Sequence, residues 1–276
     1  MRWLRWRLRP NFTILRYRLA MTWLATLVPS LFVVIVVALI EFRSGRDGGD
    51  WWINLQAWAI NLIAGLTLYK LFSVWHGPAL IDGEALPAWL AVVIWVVVQD
   101  LGEYLFHRAQ HTVPLLWAMH SLHHSDPDMS TLTASRHFWA DRLFKTFTVW
   151  SLAYMIITPT APVLAFYFAI SLWHFVVHAN LELDFGRWTW AINGPAYHRI
   201  HHSRSPEHYN CNFASLFPIF DLLSGTYRHP DCRPQTGLDH RPVSAGELLA
   251  WPWVFNRREA AAPAAGIADQ PEASCG

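Results

Sequence analysis

Four short stretches of the chain carry ten of its fifteen histidines. They read HRAQH at His107 to His111, HSLHH at His120 to His124, HFVVH at His174 to His178 and HRIHH at His198 to His202. On a helix, residues three and four apart lie on one face. His107 with His111 and His174 with His178 therefore each make a two-pronged claw, and each H-x-x-H-H string makes a three-pronged one. Neutral imidazole is the commonest metal ligand. Ten imidazoles exceed the three or four protein ligands of a single zinc or iron site, so the spacing points to two metal ions. A scatter of interfacial polar residues would give no reason for repeated claws.

The donor set narrows the chemistry without naming the metal. No E-x-x-H partner is present, which separates the chain from ferritin-like di-iron bundles with their inward glutamates. The H-E-x-x-H of zinc proteases, where a glutamate serves as base, is also missing. Imidazole alone fits Zn, Cu, Fe and Ni. Upstream of the first claw, Asp100, His107 and His111 fall within about 40° of one another on a helix surface. Asp100 is thus a candidate catalytic residue that orients a ligating imidazole, the alternative being that Asp100 and Glu103 pair with Arg108 at an interface. Asn180 is a second candidate of the same kind, with Asn210 and Asn212 beside it, though asparagine equally caps helices. His137 and His208 lie near the boxes and could orient ligands. His76, His229 and His240 stand alone and read as ordinary surface or core residues.

The elements that must position these residues are apolar. The chain is 276 residues long, 53% hydrophobic and 15% charged, with seventeen tryptophans, and its apolar runs approach the twenty or so residues that cross a bilayer. This composition predicts an all-α, multi-pass integral membrane protein. Residues 1–20 mix arginines with Trp3, Trp6, Phe12 and Tyr17, as a segment at headgroup level does. Spans are expected at Met21 to Ile40, with a kink at Pro29, and at Leu55 to Trp75; no A-x-A cleavage site follows the first. A third apolar helix, Ala88 to Phe106, delivers the first claw. Phe144 to Ile157 and Val163 to Val177 make a short hairpin that ends at the third box. Residues 1–86 thus read as N-terminal membrane segments, 87–230 as the catalytic domain, 231–256 as a C-terminal extension and 257–276 as a disordered tail.

The positive-inside rule favours the cytoplasmic side both for the arginine-rich first twenty residues and for the arginines around the boxes. Three full spans cannot satisfy both. The box side is taken as cytoplasmic, which leaves the topology of residues 1–86 open. With a formal charge of +1 and no basic, aromatic-interleaved stripe, nothing indicates nucleic acid as a partner. Three cysteines without C-x-x-C spacing indicate neither a disulfide framework nor a thiolate zinc site.

Over roughly residues 90 to 230 the chain resembles the fatty acid hydroxylase and sterol desaturase superfamily of integral-membrane di-iron oxygenases. The strings that carry the resemblance are DLGEYLFHRAQH, LWAMHSLHHSDPDMS, HFVVHAN and HRIHHSRSPEHYNCNFASLFPIFDLLSGTY. It implies transmembrane hairpins beneath a cytoplasmic helical cap that holds two irons, with zinc a possible substitute. The ligands it implies are His107, His111, His120, His123, His124, His174, His178, His198, His201 and His202. The chain departs from the family where an N-Y-G string is usual: here stand Asn212, Phe213 and Ala214. That change falls on no ligand.

A hydrocarbon C–H bond has no acidic proton and no leaving group, so hydrolytic machinery is useless against it and a redox cofactor must carry the reaction. The resemblance therefore implies an O2-dependent oxidoreductase that hydroxylates or desaturates a lipid. The alternatives are a zinc-dependent lipid hydrolase and a divalent-metal transporter; the latter fits less well, because transport sites lie near the bilayer midplane. The chain has no G-x-G-x-x-G after a strand, no C-x-x-C-H and no iron–sulfur cysteine run. Electrons are expected from a separate ferredoxin, cytochrome or reductase, docking at arginines such as Arg136 and Arg204.

Overall fold

The computed structural model describes residues 12–45, 50–72 and 78–261. The headgroup segment before residue 12, His76, and the tail from residue 262 lie outside the described residues. Within them the structure is helical, and the pairing of extended backbone is limited to two isolated bridges, Ile81 with Ile157 and Ser203 with Thr236.

Helix α1 spans Phe12–Arg43 and runs on through Pro29, and α2 spans Trp51–Phe72. Helix α3, Ala88–Thr112, is the scaffold of the molecule. Among the described residues it is the one helix long and apolar enough to cross a membrane. It extends past the predicted end at Phe106, so the first claw is its last turn and a half. Pro114 sets its limit: a residue before proline is pushed out of the helical region, and Val113 sits at φ −95°, ψ 118°. The chain restarts at once as α4, Pro114–His124, with the proline in the first turn. This break folds the second box back onto the first.

The expected apolar hairpin is present, with a refinement. Its first arm consists of α5 (Asp141–Lys145), a π-helical turn at Thr146–Trp150, and α6 (Ser151–Ile156). Its second arm is α7, Ala161–Val177, which starts at an N-cap where Thr160 accepts from the Val163 amide. Trp95, Ala91, Ala153, Ile157 and Val163 form the core between α3 and the hairpin. The chain before α3 is laced to the hairpin's tip by Ile81 N–H to Ile156 O at 2.9 Å and Thr158 N–H to Ile81 O at 3.0 Å. Gly83 is needed there, because a Cβ would run into the Thr158 carbonyl.

The fourth box lies on α8, Pro195–His201. After it come α9 (Ile219–Ser224), α10 (Ala245–Leu249) and α11 (Trp251–Ala261). The C-terminal extension is no appendage: Leu248, Trp251 and Phe255 pack with Ile53 and Ala57 of α2 against Ala118, Met119 and Leu122 of α4. Trp251 also donates its indole N–H to Ser121 Oγ, inside the second box, at 2.9 Å. Helix α11 runs to Ala261, so residues 257–261 are ordered, contrary to the tail expected from residue 257. Their sequence lacks apolar periodicity but continues a helix already anchored by Trp251 and Phe255.

Candidate metal centre

The four boxes converge. One group comprises His107, His111, His120, His124 and His201, another His123, His178, His198 and His202, and within each group the ligating atoms lie within 4.8 Å of one another. The groups adjoin: His124 stacks on His202 with ring centroids 4.3 Å apart, and His120 lies 5.2 Å from His123. The second and fourth boxes, far apart in sequence, are thus in direct contact.

The partition follows a rule. In HSLHH the outer histidines, His120 and His124, join the first group while His123 joins the second. In HRIHH the outer pair, His198 and His202, joins the second group while His201 crosses to the first. Each triple gives two imidazoles to the claw of its own half and one to the other half.

Tautomers can be read from the hydrogen bonds. His107 Nδ1 lies 2.9 Å from Phe213 O, His201 Nδ1 2.8 Å from Cys211 O, and His178 Nδ1 2.8 Å from His174 O. A carbonyl only accepts, so each Nδ1 donates and each Nε2 keeps its lone pair. The freed Nε2 atoms meet other ring nitrogens: His107 with His120 at 3.1 Å, His178 with His123 at 3.0 Å, and His178 with His198 at 3.0 Å. Two donors crowding the single lone pair of His178 is poor hydrogen bonding. It is good coordination geometry, since metal–nitrogen bonds of about 2.0–2.1 Å place neighbouring ligands about 3 Å apart.

Burial keeps these rings neutral. It holds His120, His123, His124, His198 and His202 well below the usual imidazole range, with neighbouring histidines adding to the effect. His178 falls to about 3 and His201 to about 4, again through burial, partly offset by their carbonyl bonds. Neutral, buried and convergent imidazoles fit transition-metal ions at neutral pH.

Not every candidate sits where its spacing suggested. His174 lies outside both groups; its ring packs 4.4 Å from His178 and its main-chain carbonyl orients that residue. Asp100 is buried, and its carboxylate accepts the Leu216 and Phe217 amides at 2.9 and 3.0 Å. The imidazole contact expected of it is therefore replaced by a grip on the loop that follows Phe213. Glu103 pairs with Lys145 at 2.6 Å rather than with Arg108. Asn180 directs its side-chain oxygen at Arg199 and Arg233, not at the histidine expected. His208 binds Ser203 Oγ, beside the fourth box, at 2.9 Å. Arg136, expected at a docking surface, is fully buried. Its guanidinium binds Leu122 O, Ser125 O and Ser125 Oγ at the end of α4 and pairs with Asp50 at 3.3 Å.

Several supporting residues escaped the sequence reading. Asp221, fully buried, accepts from Phe213 N, Ala214 N, Tyr197 Oη and Thr226 Oγ1 at 2.7–2.9 Å. Asn193 donates to Ala214 O at 2.7 Å. With Asp100 and Asn212 they clamp the loop 211–217, whose carbonyls orient His107 and His201. Glu41, at the end of α1, accepts from the Thr131 and Asn180 amides at 2.9 and 2.5 Å. Asn54 and Asn61, two helical turns apart in apolar α2, bind Asp126 and the His137 carbonyl, both at 2.7 Å. A lone polar residue inside an apolar run was the available signal in each case.

Comparison with known proteins agrees with this geometry. The fatty acid hydroxylase family matches residues 92–226, a range that contains all four boxes. An alkylglycerol monooxygenase of Xenopus tropicalis is 30% identical over 66% of this chain and 40% of its own. An ornithine lipid hydroxylase of Rhizobium tropici is 30% identical over 62% of this chain and 52% of its own. A Delta(7)-sterol 5(6)-desaturase of Gibberella zeae is 24% identical over 52% of this chain and 44% of its own. The chain thus spans about half the length of these relatives or less. No solved structure matches.

Proposed function

Because residues 92–226 of the chain belong to the fatty acid hydroxylase family, we propose that the protein is an O2-dependent oxidoreductase that hydroxylates or desaturates a lipid at a dinuclear centre. One observation carries this reading: nine neutral imidazoles from four separated segments form two adjoining groups at the end of an apolar helix. His107, His111, His120, His124 and His201 hold one ion. His123, His178, His198 and His202 hold the other, and His174 orients His178. Two iron ions bound there supply the redox chemistry that an unactivated C–H bond demands.

The residues around the centre supply access and order. Val93, Val97, Leu101 and Leu105 make an exposed apolar row, about one residue per turn, along α3. This row suits contact with lipid, and α3 crosses the membrane with the hairpin of α5 to α7 beside it. His107 and His111 are only half-buried, whereas all four members of the second group are buried. A lipid chain therefore approaches from the side of the first group. The centre faces the cytoplasm, and electrons come from a separate protein. Which lipid is oxidised is a question of headgroup recognition; the relatives, an alkylglycerol monooxygenase, an ornithine lipid hydroxylase and a sterol desaturase, share only the hydrocarbon.

The test is lipid mass spectrometry on cells expressing the chain or its His123→Ala variant, with and without oxygen. The expected product carries one added oxygen atom or has lost two hydrogens, forms only with O2, and vanishes in the variant. Hydrolysis products that persist without O2 would overturn the assignment.

A further inference from the structure

A third cluster shares His120 with the first histidine group. His120, His137 and Asp141 bring one ligating atom each within 4.8 Å of one another. Asp141 is 5% exposed, and neither of its carboxylate oxygens has a hydrogen-bond partner. Its Oδ2 lies 3.6 Å from His137 Nδ1, beyond hydrogen-bond distance. His120 Nδ1 is likewise buried and unpartnered, while His120 Nε2 faces His107 Nε2 in the first group. His137 stacks on His123 with centroids 4.3 Å apart and planes 12° from parallel, which walls the cluster off from the second group.

An orphaned buried carboxylate and an orphaned buried imidazole nitrogen are each costly alone. Together they are complementary. An imidazole that gives its Nε2 lone pair to a metal carries its proton on Nδ1, and a carboxylate only accepts. His107, His178 and His201 settle their Nδ1–H on main-chain carbonyls. His120 has no such carbonyl. An unsatisfied acceptor, Asp141, stands in the same cluster, one ligating atom of each residue within 4.8 Å of the other, a gap that a small side-chain rotation or one water molecule spans.

We propose that Asp141 is the positioning residue of His120, its carboxylate taking the Nδ1–H and aiming Nε2 at the first metal ion. This rests on the reading of the first group as a metal site. Among the ligands whose partners are visible, His120 would be the one backed by a charge rather than by a neutral carbonyl, which raises its basicity. The first ion is thereby held more tightly than its half-buried setting alone would allow.

The full chain and its Asp141→Leu, Asp141→Asn and Asp141→Glu variants, purified in detergent and stripped of metal, test this by Co2+ titration against a competing chelator. Bound metal is counted by elemental analysis, and circular dichroism checks the fold. Asp141→Leu keeps the branched shape of the side chain but removes the acceptor; one of two cobalt ions should bind about 10–100-fold more weakly, with a changed visible spectrum, and the other unchanged. Asp141→Asn should fall between, and Asp141→Glu should restore most of the affinity. Unchanged affinity and spectrum in Asp141→Leu would overturn the proposal. So would a third cobalt ion in the unmodified chain that Asp141→Leu loses, because the cluster would then be a cation site of its own. Failure of the unmodified chain to bind two ions would instead sink the metal-centre reading beneath it.

Discussion

The two histidine groups use the same ligand chemistry on different supports. The second group is buried throughout, and His178 takes its orientation from a helical carbonyl one turn back, at His174. The first group has two half-buried members, and His107 and His201 take theirs from the carbonyls of Phe213 and Cys211. Those carbonyls belong to a loop with left-handed backbone at Asn210 and Asn212, φ 57° and 56°. A helix orients a side chain through geometry it already has. A loop must be held by something else, here Asp100, Asn193, Asn212 and Asp221. The first group is therefore the one that distant mutations should disturb, and it is also the less buried of the two.

The largest effect should come from the crossed ligands. His201→Ala removes the one imidazole that the fourth box contributes to the first group, and His123→Ala the one that the second box contributes to the second group. Each variant should lose one of two metal ions by elemental analysis and drop lipid oxidation to background. Loss of both ions in either variant would break the comparison, because the groups would then be a single cooperative unit.

Asp221→Ala should come next. It strands two main-chain amides and the Tyr197 hydroxyl in a buried site, and each unsatisfied donor costs about 1–3 kcal/mol. The expected outcome is several-fold weaker metal binding in the first group, with the second group's affinity intact. Equal loss from both would mean that the loop supports the whole centre rather than one side.

Arg136→Met acts on both groups alike, because α4 carries His120, His124 and His123. Removing the buried Arg136 strands the Leu122 and Ser125 carbonyls at the end of α4, and each unsatisfied buried acceptor costs about 1–3 kcal/mol. Thermal unfolding should show a large loss of stability while the ratio of the two metal affinities stays fixed. A selective loss from one group would show that α4 can tilt without unfolding.

The boxes were legible in sequence because the claw is a local device: three- and four-residue spacing and an apolar run upstream suffice. The division of each triple between the two histidine groups was not. Positions i+3 and i+4 share a face, and only the packing of α4 against α8 decides which imidazole turns which way. The role of Asp100 failed for a related reason. Its helical angle placed it in line with His107, but a side chain on that line answers to whatever lies opposite, and opposite lies the loop at Leu216 and Phe217. Arg136 was misjudged because an arginine among polar residues reads as exposed, whereas the five acceptors that bury it come from two segments far apart in the chain. Long-range polar pairing carries no periodicity, so nothing in a single sequence announces it.

Acid should expose the burial of both groups in the metal-stripped protein. Histidines in the unfolded chain bind protons below about 6.5, whereas folded His201 resists to about 4 and His178 to about 3. The unfolded state therefore binds more protons throughout that window, and stability falls as pH drops through it. Bound metal competes with those protons and steepens the dependence of the loaded protein. A thermal midpoint that stays flat from neutrality to pH about 4 would contradict neutral, buried imidazoles.

The smallest effect, and the sharpest probe of the loop, lies in its two left-handed asparagines. Asn210 is exposed, so Asn210→Gly keeps the conformation that glycine tolerates best and should shift stability by no more than about 0.5 kcal/mol. Asn212 is fully buried; its amide donates to Tyr197 O and Arg228 O at 3.1 and 2.9 Å, and its oxygen accepts from Arg228 N at 2.7 Å. Asn212→Gly keeps the same backbone angle but loses all three bonds. If backbone conformation alone presents the Phe213 carbonyl to His107, the two glycine variants will bind metal alike. If the clamp does so, Asn212→Gly alone will weaken the first ion, by several-fold in a chelator competition, and leave the second as it was.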